Sequence, residues 1–542
     1  MFQSISQRLR QINRFDAFAL GFIFVLALVP LFVSFPYRVN IFLSWEGAYR
    51  MYLDQTPFKD FGLPMGYGYW IIPSLFFKLF GPFFTSLIKA QSFINMLSGL
   101  AFYSIMGSFG LKPAKRALAV IIYVISYSFF NFWPWYNHSV IVFQFVGFAL
   151  LLKGLIGTSR WKNLMLIAAA FFLFLSFFTK QDGGGMGLLI ASALLITHAL
   201  YEKSLKSLLF FYGGYALMAC LFILPLLEHG FGYWFNYGQE PHNSRLALRD
   251  FLDIILGESQ WIKFYIVLIG FLIIKRLMDW KAYLADRNTV LFSLFTLGIM
   301  VEALLFQVTS YTPPDNNIFF HSFAFAFLLS QLPLNIDFKR LQVFVPAFLL
   351  IMLWWSGTYW KYIDRIMKRA FPSYAQEDTS KISVKTFMVS TDTSNVKMDK
   401  WVFCGLPSFN KVYMPESTAD GIKRLLDRPE LKRSTPPKVL NMTELTPLAY
   451  EMGYELEKGL PLWYHVGVGM FDKEADFFAK RIADGYYDIV LFETIPYLNN
   501  FFPENVREAA QKHYKLSDRF LAPRRPTDSH IEVYVKPQNE EE

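Results

Sequence analysis

Residues 18–35 read FALGFIFVLALVPLFVSF, eighteen positions without a charge. About 20 mostly apolar residues cross a bilayer as a helix, so this run predicts a transmembrane span. No small-residue cleavage site closes it, which favours a retained helix over a signal peptide. Working outward, comparable runs give eleven candidate spans: 17–35, 84–108, 115–133, 139–157, 163–179, 184–201, 207–227, 260–277, 289–309, 317–333 and 341–357. Composition agrees: 54% of the chain is hydrophobic, 19% aromatic and only 18% charged, against about 25% charged in soluble domains.

The net charge of +9 would suggest a nucleic-acid partner in a soluble protein. Here the basic residues sit mainly between apolar runs, so membrane topology explains them and the partner is the bilayer, not nucleic acid. With the N-terminus inside, the inner loops hold Arg14, Lys112, Lys115, Arg116, Arg160, Lys162, Lys203, Lys206, Arg287 and Lys339. The outer loops NFWPWYNH (131–138) and YTPPDNN (311–317) hold no Lys or Arg, as the positive-inside rule requires. Residues 36–83, 228–259 and everything after about 358 then lie outside. Cys220 sits in an apolar run and Cys404 in the polar tail, so no disulfide framework is implied.

Beyond residue 358 the runs shorten and alternate. KVLNMTE (438–444), YDIVLFETIP (487–496) and HIEVYVKP (530–537) read as strands, and EADFFAKRIADG (474–485) as a helix ending at glycine. The expected architecture is an α-helical polytopic membrane protein of about 11 transmembrane helices with a small C-terminal α/β extracytoplasmic domain. Its divisions are 1–357, carrying the outer loop 36–83, and 358–542.

The first outer loop contains SWEGAYRMYLDQTPFKDFGLPMGYGYW (44–70), where Glu46, Asp54 and Asp60 crowd between oily segments. As a helix, 45–54 places Trp45, Ala48, Tyr49, Tyr52 and Leu53 on one stripe. That pattern predicts a helix lying on the membrane surface, aromatics toward the headgroups. Glu46, Arg50 and Asp54 flank it four apart; an acid in the first turn and an Arg pairing along the face is the bland explanation.

The order of first span, acid, amphipathic helix, Pro-aromatic-basic-Asp-Phe, Pro-x-Gly, aromatics and Leu-Phe-Gly over residues 40–82 resembles the polytopic GT-C type glycosyltransferases that use polyprenyl-phosphate sugars. Protein O-mannosyltransferases and the lipid A aminoarabinose transferase are of this kind. A looser match is FFTKQDGGGMG (177–187), like the Lys-Gln-Asn/Thr-Gly of such enzymes. Two departures stand out. Relatives often carry an Asp-Glu pair where this chain has Trp45-Glu46, and a Lys where it has Leu63.

The resemblance implies a GT-C-like membrane enzyme of a bacterial inner or plasma membrane, N-terminus cytoplasmic. It would move a sugar from a polyprenyl-phosphate donor to a glycan, lipid or protein acceptor outside. A carboxylate, Glu46 or Asp60, would take the acceptor's proton in an inverting displacement. The departing phosphate would be held by cations among Lys180, Arg50, Lys59, Arg245 and Arg249, or by a divalent metal, Mg or Mn. Each has a plainer reading: Arg50 pairs with Glu46 or Asp54, Lys59 is solvated, Arg245 and Arg249 face headgroups. Lys180 leads, at an outer span end where basic residues should be few, beside Gln181 and Asp182; snorkelling is its bland alternative. Gln181, Asp182, His138 and His242 are candidates for sugar or acceptor contacts. Glu302 and His321, near or within spans, line a cavity or are simply hydrogen-bonded. Two other classes stay open: a lipid-linked glycan transporter or flippase, and a polysaccharide polymerase or ligase with a lipid-diphosphate donor.

Overall fold

A computed structural model describes residues 13–37, 41–126, 132–235, 247–258, 260–310, 319–371, 400–433, 435–495, 501–524 and 529–537. The first span starts at Asn13, whose side chain accepts the Phe15 N–H at 3.0 Å and so satisfies a free helix-end donor. The Arg14–Ala27 helix then tightens into a 3-10 turn at Val29–Phe32, where Pro30 lacks the N–H that would continue it. Each expected span contains a helix, yet among the described residues six helical stretches are both long and apolar enough to cross a membrane. A pair bent by 64°, Leu341–Trp354 with Ser356–Asp364, makes up to seven. The difference from eleven has visible causes. Phe84–Ser108 buries Gln91, Ser92, Asn95 and Ser98 along its length, and Gln260–Leu277 carries Lys263, Lys275 and Arg276. Phe319–Gln331 is short.

At one end of the bundle the basic residues expected inside come together. Arg116 binds Asp16 at 2.6 Å, Arg14 donates to the Lys339 carbonyl at 2.8 Å, and Arg287 bridges Glu202 and the Leu155 carbonyl. Cys220 and Cys404 are both free thiols.

At the other end the segment that follows the first helix and the C-terminal segment are interleaved. β1 (Phe35–Pro36) runs parallel to β4 (Val412–Pro415), which β3 (Trp401–Phe403) joins antiparallel. β2 (Phe61–Gly62) runs parallel to β6 (Leu460–Pro461). A mixed sheet stands behind them, in the order β5 (Val439–Met442), β7 (Ile489–Thr494), β9 (His530–Val535), β8 (Lys515–Leu521), with β5 and β7 parallel and β9 antiparallel to both neighbours. The expected strands at 438–444, 487–496 and 530–537 and the helix at 474–485, observed as Asp472–Ala483, are all present. One apolar cluster contains Tyr37, Trp45 and Trp70 from the loop together with Phe409, Leu448 and Phe492 from the C-terminal segment. Behind it Arg524 binds both Glu444 (2.6 Å) and Glu493 (2.5 Å), and the Tyr37 hydroxyl donates to the Glu444 carbonyl.

The turn-rich stretch 61–70 threads between these layers. A side chain on Gly66 would place its Cβ 1.2 Å from the Phe178 carbonyl oxygen, and one on Gly68 2.4 Å from the Thr179 hydroxyl. The glycines of Pro-Met-Gly-Tyr-Gly are therefore needed for close backbone approach to the end of the Lys162–Thr179 helix. Gly66→Ala meets backbone that cannot swing away, and its thermal unfolding midpoint in detergent should fall, at a cost of at least the ~1–3 kcal/mol usual for overpacking. Gly185→Ala, with nothing within 4 Å of its Cβ, should leave the midpoint unchanged or slightly raised.

Candidate functional site

The helix that carries the first acid spans Ile41–Tyr52, and every residue from Ile41 to Arg50 is buried. This corrects the expectation of a helix resting on the membrane surface. Trp45 does not face headgroups: its indole N–H donates to the Pro82 carbonyl at 3.1 Å. Trp70 donates to the Leu43 carbonyl at 2.8 Å, and its ring occupies the space a Gly47 side chain would fill, 1.9 Å from the ideal Cβ. The charged flank is covered too, by the C-terminal segment.

On that flank Arg50 donates through Nε (2.9 Å) to Oε1 of Glu46, and its Nη2 stands 2.8 Å from the same oxygen as an ion pair. Nη1 turns away, to the Gln55 side chain at 3.0 Å and the Glu457 carbonyl at 2.9 Å. Gln55 in turn donates to the Leu456 carbonyl at 3.1 Å. Three of the five guanidinium N–H groups are thus hydrogen-bonded within the protein, and Nη2 lies against the same Glu46 oxygen, so Arg50 acts first as a positioning group for Glu46. Glu46 Oε2 makes no hydrogen bond among the described residues. It faces a cavity of about 20 Å³, space for about one water, lined by Glu46, Arg50, Asn441, Thr446, Tyr454 and Tyr464 among others. Burial raises the Glu46 pKa above the ordinary carboxylate value, against the lowering pull of Arg50. Burial first, and the Glu46 charge after it, also push up the phenols of Tyr454 and Tyr464, which stay protonated.

The segment that closes the cavity, Gly453–Leu462, is a strap. Gly453 (φ 69°) and Gly459 (φ 78°) take left-handed backbone at its turns, a conformation glycine adopts without strain. It is tied down by the Arg50 and Gln55 bonds, by Gly459 N–H to the Asp60 carbonyl (2.7 Å) and by Leu462 N–H to the Gly62 carbonyl (3.0 Å). Glu457 is anchored from behind by Arg481 and by the Tyr487 hydroxyl at 2.9 Å.

Asp60 does not share this cavity. Its Oδ2 accepts the Thr56 N–H at 2.7 Å, closing the turn, and Lys458 lies 4.0 Å from Oδ1. Asp54 pairs outward with Lys78 at 2.6 Å. Lys59 is exposed. Among the described residues Arg249 pairs with Asp253 at 3.6 Å, both well exposed. His242 and Arg245 lie outside the described residues.

Lys180 forms a second polar centre, at the break between the Lys162–Thr179 and Gln181–Glu202 helices. Its ammonium meets Asp182 Oδ2 at 2.8 Å and sits over the rings of Phe306 (4.9 Å) and Tyr136 (5.9 Å). Asp182 also accepts the Gly183 N–H at 2.7 Å and the Thr309 hydroxyl. Gln181 reaches the Phe235 carbonyl at 3.4 Å, and His138 is buried 3.4 Å from Gln91. Deeper in the bundle Gln144 donates to fully buried Glu302 at 3.0 Å. Tyr136 also contacts Tyr69 (ring centroids 6.0 Å apart), so the 61–70 stretch stands between the two centres. Among the described residues no group of three His, Cys, Asp or Glu side chains gathers to hold a metal.

Reading the sequence missed Gln55, Asn441, Thr446, Tyr454, Glu457 and Tyr464 as cavity neighbours. One signal was available: Asn441–Thr446 is a polar loop at the carboxyl end of β5, where parallel strands of α/β sheets present ligand-binding groups.

No family model matches the sequence, and no curated protein matches it. Among solved structures, ArnT from Cupriavidus metallidurans in the apo state is similar over 97% of this chain and 98% of that one, at 13% identity and a TM-score of 0.49. ArnT from the same organism bound to undecaprenyl phosphate is similar over the same shares, at 14% identity and a TM-score of 0.47. Likeness at this identity leaves the chemistry to be argued from the residues of the site.

Arg50→Met strands the Glu46 carboxylate in a dry site. At neutral pH it should destabilise by about 3–5 kcal/mol in chemical unfolding, while Glu46→Gln combined with Arg50→Met recovers most of that. Because the Glu46 pKa is raised in the folded state, the penalty in Arg50→Met should shrink as pH falls and grow as pH rises through that pKa.

Proposed function

We propose that the protein is a membrane glycosyltransferase that moves a sugar from a polyprenyl-phosphate donor to an acceptor hydroxyl outside the cytoplasm, with Glu46 as the base. The observation that carries this is the one-sided Glu46–Arg50 pair: Arg50 saturates Oε1 and leaves Oε2 facing a cavity. A carboxylate whose pKa is raised by burial against the pull of a fixed cation is suited to accepting a proton near neutral pH. In the transfer, the acceptor oxygen bonds to the anomeric carbon as the bond to the phosphate oxygen breaks. The acceptor's proton goes to Oε2, and the polyprenyl phosphate leaves with the electron pair. Attack opposite the leaving group inverts the anomeric centre.

Lys180 supplies the cation for the departing phosphate. Asp182 holds it in place until an anion with more charge competes for the ammonium. Orientation follows from the basic cluster of Arg14, Arg116 and Arg287 at the opposite end, which would face the cytoplasm. A site with room for one water holds no sugar, so transfer requires the Gly453–Leu462 strap to open.

A transporter of lipid-linked glycans is the second reading, favoured by Glu302, an ionisable group buried in a span as such proteins use. Uptake into liposomes without covalent product would mark that class.

The test is transfer from labelled polyprenyl-phosphate sugar by purified protein in lipid. Glu46→Gln should lower kcat/KM by about 10²- to 10⁴-fold, whereas Asp60→Asn should change it little. The wild-type kcat/KM profile should rise with pH through an apparent pKa above the ordinary Glu value of about 4.3, in line with the raised Glu46 pKa. Full activity in Glu46→Gln would remove Glu46 from the chemistry.

A further inference from the structure

The Glu46 cavity has an unmatched group on its far wall. Thr446 is 5% exposed and lines the cavity, yet its hydroxyl has no hydrogen-bond partner among the described residues. A buried hydroxyl left unpaired costs roughly 1–3 kcal/mol, so this one calls for a partner from outside the chain, a water or a bound ligand. The neighbours do not share this state. Asn441 spends its amide N–H groups on the Leu445 carbonyl (3.2 Å) and the Tyr454 hydroxyl (3.1 Å), and its oxygen accepts from Thr443 at 2.7 Å. Glu457 is taken by Arg481 and Tyr487.

We propose that Thr446 is the acceptor-binding hydroxyl of this site, donating to the oxygen atom whose own proton is directed at Glu46 Oε2. The geometry follows from two features. Thr446 and Glu46 line one cavity of about 20 Å³, room for about one water, and a single oxygen held there is the partner both side chains would share. An alcohol or water oxygen both donates and accepts; an ionised carboxylate only accepts, so the opposing partner must be a donor. Thr446 supplies it. The ligand class is a hydroxyl: water in the closed protein, the acceptor's alcohol when the strap is open. The C-terminal segment then contributes directly to substrate binding. The alcohol half rests on the glycosyl-transfer reading; the water half does not.

The test uses the full-length protein in nanodiscs. A high-resolution experimental structure of the wild type should show a water bridging Thr446 Oγ1 and Glu46 Oε2. Thr446→Val, nearly the same shape, should lose that water, and Thr446→Ser should keep it. Hydrolysis of labelled polyprenyl-phosphate sugar, with water as acceptor, should fall about 2- to 10-fold in kcat/KM for Thr446→Val and recover in Thr446→Ser. The thermal midpoint of Thr446→Val should hold or rise, because no bond within the protein is lost; a merely structural threonine would lower it. A wild-type site without the water, a water unchanged in Thr446→Val, or hydrolysis unaffected by that change overturns the proposal for Thr446. No sugar transfer to any acceptor alcohol by wild type while the bridging water is present overturns the glycosyl-transfer reading instead, and confines the site to water.

Discussion

A guanidinium taken out of water must find partners for its N–H groups or not be buried at all, and Arg50 meets that demand by drawing three pieces of chain together. Glu46 comes from one turn back on its own helix, Gln55 from the turn that follows, and the Glu457 carbonyl from the C-terminal segment. The short strand pairs β1–β4 and β2–β6 are two residues long in register. Pairings so brief hold only because the packed cluster of Tyr37, Trp45, Trp70, Phe409 and Phe492 surrounds them. The polar clamp fixes how the layers sit, and the apolar cluster supplies the driving force.

Much of this was legible wherever structure is decided locally. A span is fixed by its own composition against the bilayer, so helices stand at the expected places, and the apolar run in DIVLF and the alternation in HIEVYV marked β7 and β9. Periodicity in Trp45, Ala48, Tyr49 and Tyr52 correctly gave a helix but not its surroundings. A stripe tells which face is apolar; it is silent on whether the polar face is covered as well, and here residues 440–464 cover it. β8 escaped notice because Lys515, Leu516 and Ser517 are exposed and carry no alternating apolar signal. The strap and the Thr446 loop join the site from some 400 positions downstream of Glu46, a juxtaposition no window of sequence displays.

The two polar centres are built differently. Around Glu46 the ion pair is one-to-one and one oxygen stays unclaimed. Around Lys180 the pairing is local and tight, with Asp182 held by three donors from two helices. Between them runs 61–70, whose glycines allow its backbone to lie against Phe178 and Thr179. A movement of this stretch is felt at both centres, because Phe61 lies 5.5 Å from the Arg50 guanidinium and Tyr69 touches Tyr136.

The bond from Arg50 to Glu457 and the bond from Tyr37 to Glu444 each join residues 407 positions apart. Long-range closures of this kind come late, since the chain between must first be placed. During synthesis the Glu46 helix therefore emerges long before the residues that cover it exist, with Trp45, Tyr49 and a buried-type ion pair facing water or headgroups. A chain released early would present that oily surface to other proteins, and the cell's membrane chaperones and proteases have a reason to meet this loop before its own C-terminus does.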